Sequence, residues 1–256
     1  MTSPVAVTRS LAERSLMLVW RVPSTFVPSL IFPIFSVVAF SGAFSGLVKL
    51  PGFPVPEMID WILPMSIVQG CAFAGITTGL GVARDIENGF FDRLLLAPTN
   101  RIALVTGPMV AAMFRAFLPF ALVLPVGLLA GARIPGGLPG VLMLLIAALG
   151  TALVAAGWAL GLALRFKSTS KAGPLMQVGL FVAVFLSTAQ VPLAVMEGWL
   201  QGVARVNPMT AVFALSRQGF IGGLSWHDTW PGLVALVGGT LLLGLFAVRG
   251  LRSFDR

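Results

Sequence analysis

Three observations predict an all-α polytopic membrane fold with six spans. Hydrophobic residues make up 57% of the 256 and charged residues only 10%, at a mean hydropathy of +0.96. That is more apolar than the surface of a water-soluble domain tolerates. The apolar residues run continuously for about twenty positions at a time, the length of a helical span; a membrane barrel would alternate polar and apolar over about ten. The basic residues stand at the ends of these runs. The net charge of +8 therefore reads as a set of topology determinants, and no nucleic-acid partner is expected.

The chain reads as one transmembrane domain over 1–256. Residues 8–21 predict an amphipathic helix: Leu11, Ala12, Leu16, Leu18 and Val19 share one arc, and Arg9, Ser10, Glu13, Arg14 and Arg21 the opposite one. Such a helix lies in the lipid interface with its basic side toward anionic headgroups, a depth that suits Trp20. The first span, about 24–48, is entered through Pro23 and carries Pro28 and Pro33, so an irregular start is expected. Gly42 and Gly46 offer it a close-packing face, as Gly75 and Gly79 do in the second span, about 59–81.

After the second span comes the longest charge-bearing interruption in the chain. Arg84, Asp85 and Glu87 precede a turn at Asn88-Gly89, and Phe90 to Ala97 form about two helical turns before Pro98 stops them, giving a cytoplasmic helical segment over 84–97. Phe90, Phe91, Leu94 and Leu95 share an apolar edge, while Asp92 and Arg93 point elsewhere. An apolar edge on a water-side loop needs a partner.

The third span falls at about 108–130 and contains Arg115. If residues 102–113 lie along the interface, Arg115 is an end anchor; otherwise it lines the pathway. A Gly- and Pro-rich external turn leads to the fourth span, about 139–164, with Gly157 and Gly161 in it. The fifth span covers about 172–190 and the sixth about 230–249. Between them, 193–229 is too polar and broken to span and predicts two short external re-entrant helices, separated by Asn207-Pro208 and dipping into the outer leaflet.

With both termini in the cytoplasm, twelve of the seventeen basic residues are cytoplasmic, and only Lys49, Arg133, Arg205 and Arg217 are external. Arg115 is left unassigned. The same count puts the Arg84 to Arg101 loop in the cytoplasm.

The chemical inventory excludes several functions. No Gly-rich run ends in Gly-Lys-Ser/Thr, so the chain has no phosphate-cradling loop and no cofactor of its own is expected. One histidine (His227) and one cysteine (Cys71) exclude paired metal ligands and an intrachain disulfide. No carboxylate stands convincingly mid-span, Asp60 being placed at a span's edge, which argues against ion-coupled transport. Span hydroxyls such as Thr77 and Thr78 have no nearby base, which argues against an enzyme.

The run Arg84-Asp85-Ile86-Glu87-Asn88-Gly89-Phe90-Phe91-Asp92-Arg93-Leu94-Leu95-Leu96-Ala97-Pro98 resembles the loop after the second span of type-2 ABC exporter permeases, particularly daunorubicin-resistance-type transmembrane subunits. Phe185 to Pro192, Gly198-Trp199-Leu200-Gln201, Asn207-Pro208-Met209-Thr210 and Ala214 to Arg217 resemble the C-terminal signature of the same family. Phe90-Phe91, Met209 and Phe213 depart from residues common elsewhere in it. The resemblance implies that 84–97 is a coupling helix docking on a separate nucleotide-binding ATPase subunit, which would carry the ATP and Mg. It also implies a second permease copy, identical or different, and outward transport of an amphiphilic drug or a lipid across a bacterial cytoplasmic membrane.

On that basis the coupling residues are Arg84, Asp85, Glu87, Asn88, Gly89, Phe90, Phe91, Asp92, Arg93 and Leu94. The candidate path is Phe26, Phe32, Phe35, Phe40, Phe73 and Phe181, and the external hairpin is marked by Pro192, Trp199, Asn207, Pro208 and Arg217. The alternative reading is a nontransporting membrane anchor that recruits a cytosolic protein through the same loop.

Overall fold

The computed structural model describes residues 23–96, 101–251 and 254, with the side chains of 23–29 left out. The predicted interface helix over 8–21, the Phe26 side chain and residues 97–100 lie outside the described residues. Among the described residues the regular structure is helical: α1 (Pro23–Ala43), a 3-10 turn (Ser45–Lys49), α2 (Met58–Glu87), α3 (Phe90–Leu96), α4 (Ala103–Leu129), α5 (Gly137–Phe166), α6 (Thr169–Phe185), α7 (Gly198–Val206), α8 (Pro208–Ile221) and α9 (Trp226–Leu251).

Every predicted span falls on a helix, and among the described residues four helices, α2, α4, α5 and α9, are long and apolar enough to cross a membrane by length and composition. α6 has 17 residues, about 25 Å at the α-helical rise, and the part of α1 whose side chains are described, Leu30–Ala43, is apolar. Pro28 and Pro33 lie in continuous helix, so the irregular start expected of α1 is not seen. α4 begins at Ala103, which leaves no separate interface segment before Arg115.

The bundle is built around α2. Of its most apolar stretch 94% is buried inside the molecule, against 17% for α9, so α2 is the central helix and α9 an outer one. Its closest neighbour is α5. A Cβ on Gly75 would stand 2.9 Å from Ala155 Cβ, and one on Gly79 would run into Ala159, so at both positions only glycine lets the two backbones approach this closely. Where apolar burial gives helices in lipid little drive to associate, such contact supplies dispersion attraction instead. Gly157 and Gly161 play the same part for α5 against α9, facing Leu243 and Phe246. Gly42 and Gly46 do not: among the described residues nothing lies within 4 Å of where their Cβ atoms would be, so no close helix contact uses them there.

α3 leaves one end of the bundle, and α7 and α8 cover the other. At that second end Gly136 donates its N–H to Gly219 O at 2.8 Å, where the backbones of α5 and α8 meet.

Candidate functional site

At the α3 end, α2 continues past the predicted limit of the span because no breaker interrupts it before Asn88-Gly89. Gly89 then adopts φ +68, a conformation that favours glycine, and the chain reverses into α3. Arg84, Asp85 and Glu87 therefore belong to the last turn of α2 and not to the short helix. The Glu87 carboxylate accepts the Thr169 N–H at 2.8 Å and the Thr169 hydroxyl at 2.9 Å. Thr169 opens α6, where backbone N–H groups lack intrahelical partners and the helix dipole favours an anion. These hydrogen bonds from Thr169 hold the Glu87 carboxyl below the usual carboxylate range. Glu87 thus fastens the α2–α3 corner to α6.

Phe91 is also turned inward. It is buried against the Phe254 ring at 5.3 Å, and the Lys167 ammonium sits 3.9 Å from the centroid of that same ring. The apolar edge predicted from spacing is thus split: Phe91 anchors α3 on its own bundle, while Phe90 and Leu94 are half-exposed. Arg84, Asn88, Asp92 and Arg93 are exposed, and Asp85 is half-exposed. Leu96, 87% exposed, is an outward apolar residue that the periodicity did not single out.

Between the two ends, three of the predicted path residues meet. Phe32 of α1, Phe73 of α2 and Phe181 of α6 form a triangle with ring centroids 5.8, 6.0 and 6.4 Å apart, each pair edge to face. This is the favourable geometry for aromatic quadrupoles. Phe185 extends the cluster from Phe181 at 5.8 Å. All three triangle members are half-exposed, as a surface that contacts a passing molecule must be. Phe40 stacks on Phe44 instead, and Phe35 is exposed.

At the α7–α8 end, Asn207 caps α8 by accepting the Met209 N–H at 2.9 Å, with Pro208 preset for the first helical position. Its amide nitrogen donates to Ala183 O and Leu186 O, which ties the hairpin to the end of α6. Pro192 is buried and Trp199 is 73% exposed on α7. Arg217, counted from the sequence as an external charge, is only 1% exposed. It donates to Trp61 O at 3.1 Å, Thr188 O at 2.7 Å and Ala189 O, and its guanidinium lies 3.7 Å over the Trp61 ring. One side chain thereby clamps α8, the start of α2 and the segment after α6.

Asp60, placed at a span's edge from the sequence, and Arg115, left open between an end anchor and a pathway residue, are both buried. Asp60 is 2% exposed and accepts the Arg133 N–H at 2.8 Å. Arg115 is 8% exposed near the middle of α4, so the end-anchor reading fails; it donates to the Thr78 hydroxyl at 2.6 Å, and its Nε has no partner. An unmet buried donor costs about 1–3 kcal/mol, more when charged.

The ABC-2 type transporter family model matches residues 6–221, which covers α1 to α8 and both motif regions. The chain belongs to that family. Its relatives include a daunorubicin resistance ABC transporter permease protein of Streptomyces coeruleorubidus, 28% identical over 88% of this chain and 76% of the relative. A putative transport permease of Porphyra purpurea is 31% identical over 78% of this chain and 69% of its own. A probable multidrug ABC transporter permease of Escherichia coli is 28% identical over 71% of this chain, which spans about half the length of that relative at 48%. This permease is accordingly a multi-pass membrane component of an ABC transporter.

Proposed function

We propose that this permease is the membrane-spanning subunit of an ATP-driven exporter in a bacterial cytoplasmic membrane, with both termini cytoplasmic. A separate nucleotide-binding subunit hydrolyses the ATP with Mg, and a second permease copy completes the path for an amphiphilic drug or lipid. The observation that carries this reading is a mechanical connection. The exposed charges Asp92 and Arg93 and the half-exposed Phe90 and Leu94 sit on a short helix at the corner of α2, and Glu87 at that corner holds the first residue of α6. Both α2 and α6 contribute to the aromatic triangle through Phe73 and Phe181. A push on α3 from a docked ATPase is thus delivered to the walls that a substrate would touch.

Phe91 supports this path from inside, by seating α3, while exposed Arg93 and half-exposed Leu94 leave surface for a partner to contact. The test is to co-purify the full chain with the ATPase encoded beside its gene and to measure binding and ATP hydrolysis. Leu94→Asp and Arg93→Glu should each weaken the complex, the first by more than about tenfold if Leu94 fills a partner groove. Phe91→Ala should leave insertion intact but lower coupling by loosening α3. Absence of any ATPase binding by the wild type would end the docking reading. Binding without amphiphile-responsive ATP turnover would favour the nontransporting anchor.

A further inference from the structure

We infer that Arg115 and Thr78 form an oxyanion-binding subsite, within the seam between α2 and α4, for the acidic headgroup of a membrane-borne amphiphile. The inference rests on the amphiphile-permease reading above and adds the chemistry of the cargo. Arg115 carries a planar fork of N–H donors and donates to the hydroxyl of Thr78 at 2.6 Å. Thr78 sends its own hydrogen to Ala74 O at 3.1 Å, so it meets the guanidinium with a neutral lone pair and leaves the positive charge uncompensated. The Arg115 Nε is buried with no partner.

The permease does complete its hydrogen bonding around a buried arginine where the role is structural. Arg217 has Nε, Nη1 and Nη2 all donated to carbonyl oxygens and a ring beneath it. Arg115 has donors to spare, in the middle of an apolar helix, and the group that fits a guanidinium fork is a carboxylate or phosphate.

Gly81 lies three residues beyond Thr78 on the same face of α2, one turn toward Asn88, and among the described residues nothing stands within 4 Å of where its Cβ would be, so the seam is loosely filled one turn from the pair. Phe114 and Phe117, on another side of α4 from Arg115, are 48% and 41% exposed and offer an apolar surface on which a hydrocarbon tail can lie.

The test uses the purified full chain in nanodiscs of phosphatidylcholine. The probe is a long-chain fatty acid bearing a mid-chain diazirine, compared with its methyl ester, with adducts mapped by mass spectrometry. The acid should label the α2 and α4 peptides about tenfold more than the ester, the size of one charge-assisted contact. Arg115→Gln should abolish that preference, Arg115→Lys should keep part of it, and Thr78→Val should reduce it. Excess inorganic phosphate should not displace the probe; displacement would mean a soluble oxyanion and would overturn the amphiphile assignment. Equal labelling by acid and ester, or an acid preference unchanged in Arg115→Gln, would overturn it as well. Should Arg115→Gln fail to fold, Arg115→Lys and Thr78→Val decide by the same readout. The labelling needs neither ATPase nor nucleotide, so its failure would leave the exporter reading standing, and a failure of ATPase docking would leave the labelling unaffected.

Discussion

Arg217 and Arg115 are both buried arginines, 1% and 8% exposed, yet their surroundings are opposite. Arg217 is enclosed at the α7–α8 end by three backbone carbonyls, the Trp61 ring at 3.7 Å and the Phe213 ring at 5.2 Å. Arg115, between α2 and α4, has one hydroxyl and an orphaned Nε. The difference teaches that burial alone does not tell a structural cation from a functional one. What separates them is how far the protein has completed the hydrogen-bonding capacity of each, since unmet donors in an apolar interior persist only at a cost.

The comparison is broken most directly at Arg217. Replacing Arg217 with Gln should destabilise the permease by about 3 kcal/mol, because several charge-assisted bonds are lost and the carbonyls that accepted them are left buried. Thermal unfolding in detergent should show this, with the loss greatest in contacts among α7, α8 and the start of α2. Arg217→Lys should recover little, since an ammonium cannot reproduce a fork directed at separate carbonyls. A variant as stable as wild type would remove the structural half of the contrast.

Arg115→Leu should behave in the other way. Thr78 keeps its donated bond to Ala74 O and loses one neutral acceptor contact while a poorly paired buried charge is removed, so stability should stay within about 1 kcal/mol of wild type or rise, while transport of acidic amphiphiles falls. A large loss of stability would place Arg115 beside Arg217 as a clamp.

The smallest effect concerns Glu87, which is solvent-exposed and contributes by position. Its carboxyl lies below its ordinary value because Thr169 donates to it, so the link to α6 is complete above the ordinary carboxylate range. It is lost only as the pH falls through the depressed value. Spin labels placed on α3 and α6 should report an unchanged distance distribution from neutral pH down to that range and a broadening below it. Glu87→Gln should show the broadened distribution already at neutral pH, with little change in global unfolding. A distribution insensitive to both would mean that the corner is held by Phe91 and Phe254 alone.

Much of the architecture was legible in the residues. Continuous apolar runs placed the helices, Asn88-Gly89 placed the corner, and Asn207-Pro208 placed the break in the hairpin, since each depends on local chemistry: periodicity, the conformational range of glycine, and capping by an amide beside a proline. The Gly75 and Gly79 spacing correctly marked a close helix contact, whereas the same spacing at Gly42 and Gly46 marked none among the described residues. Small-residue spacing permits close approach, but a second helix must be there to use it. Among the phenylalanines, nothing in the order of residues could separate Phe32, Phe73 and Phe181, which meet, from Phe35, which is exposed elsewhere on α1.

The sequence by itself determined that this chain is a helical membrane protein of the ABC-2 type, with a charged corner after its second long apolar run, because hydropathy and turn chemistry act over a few neighbouring residues. Only the tertiary structure decided which charges are enclosed and by what. Arg217 meets carbonyls 156 and 29 residues away in the chain, and Arg115 meets a hydroxyl 37 residues away. Desolvation and hydrogen-bond satisfaction depend on those distant partners, and they assign a structural role to the one cation and an open one to the other.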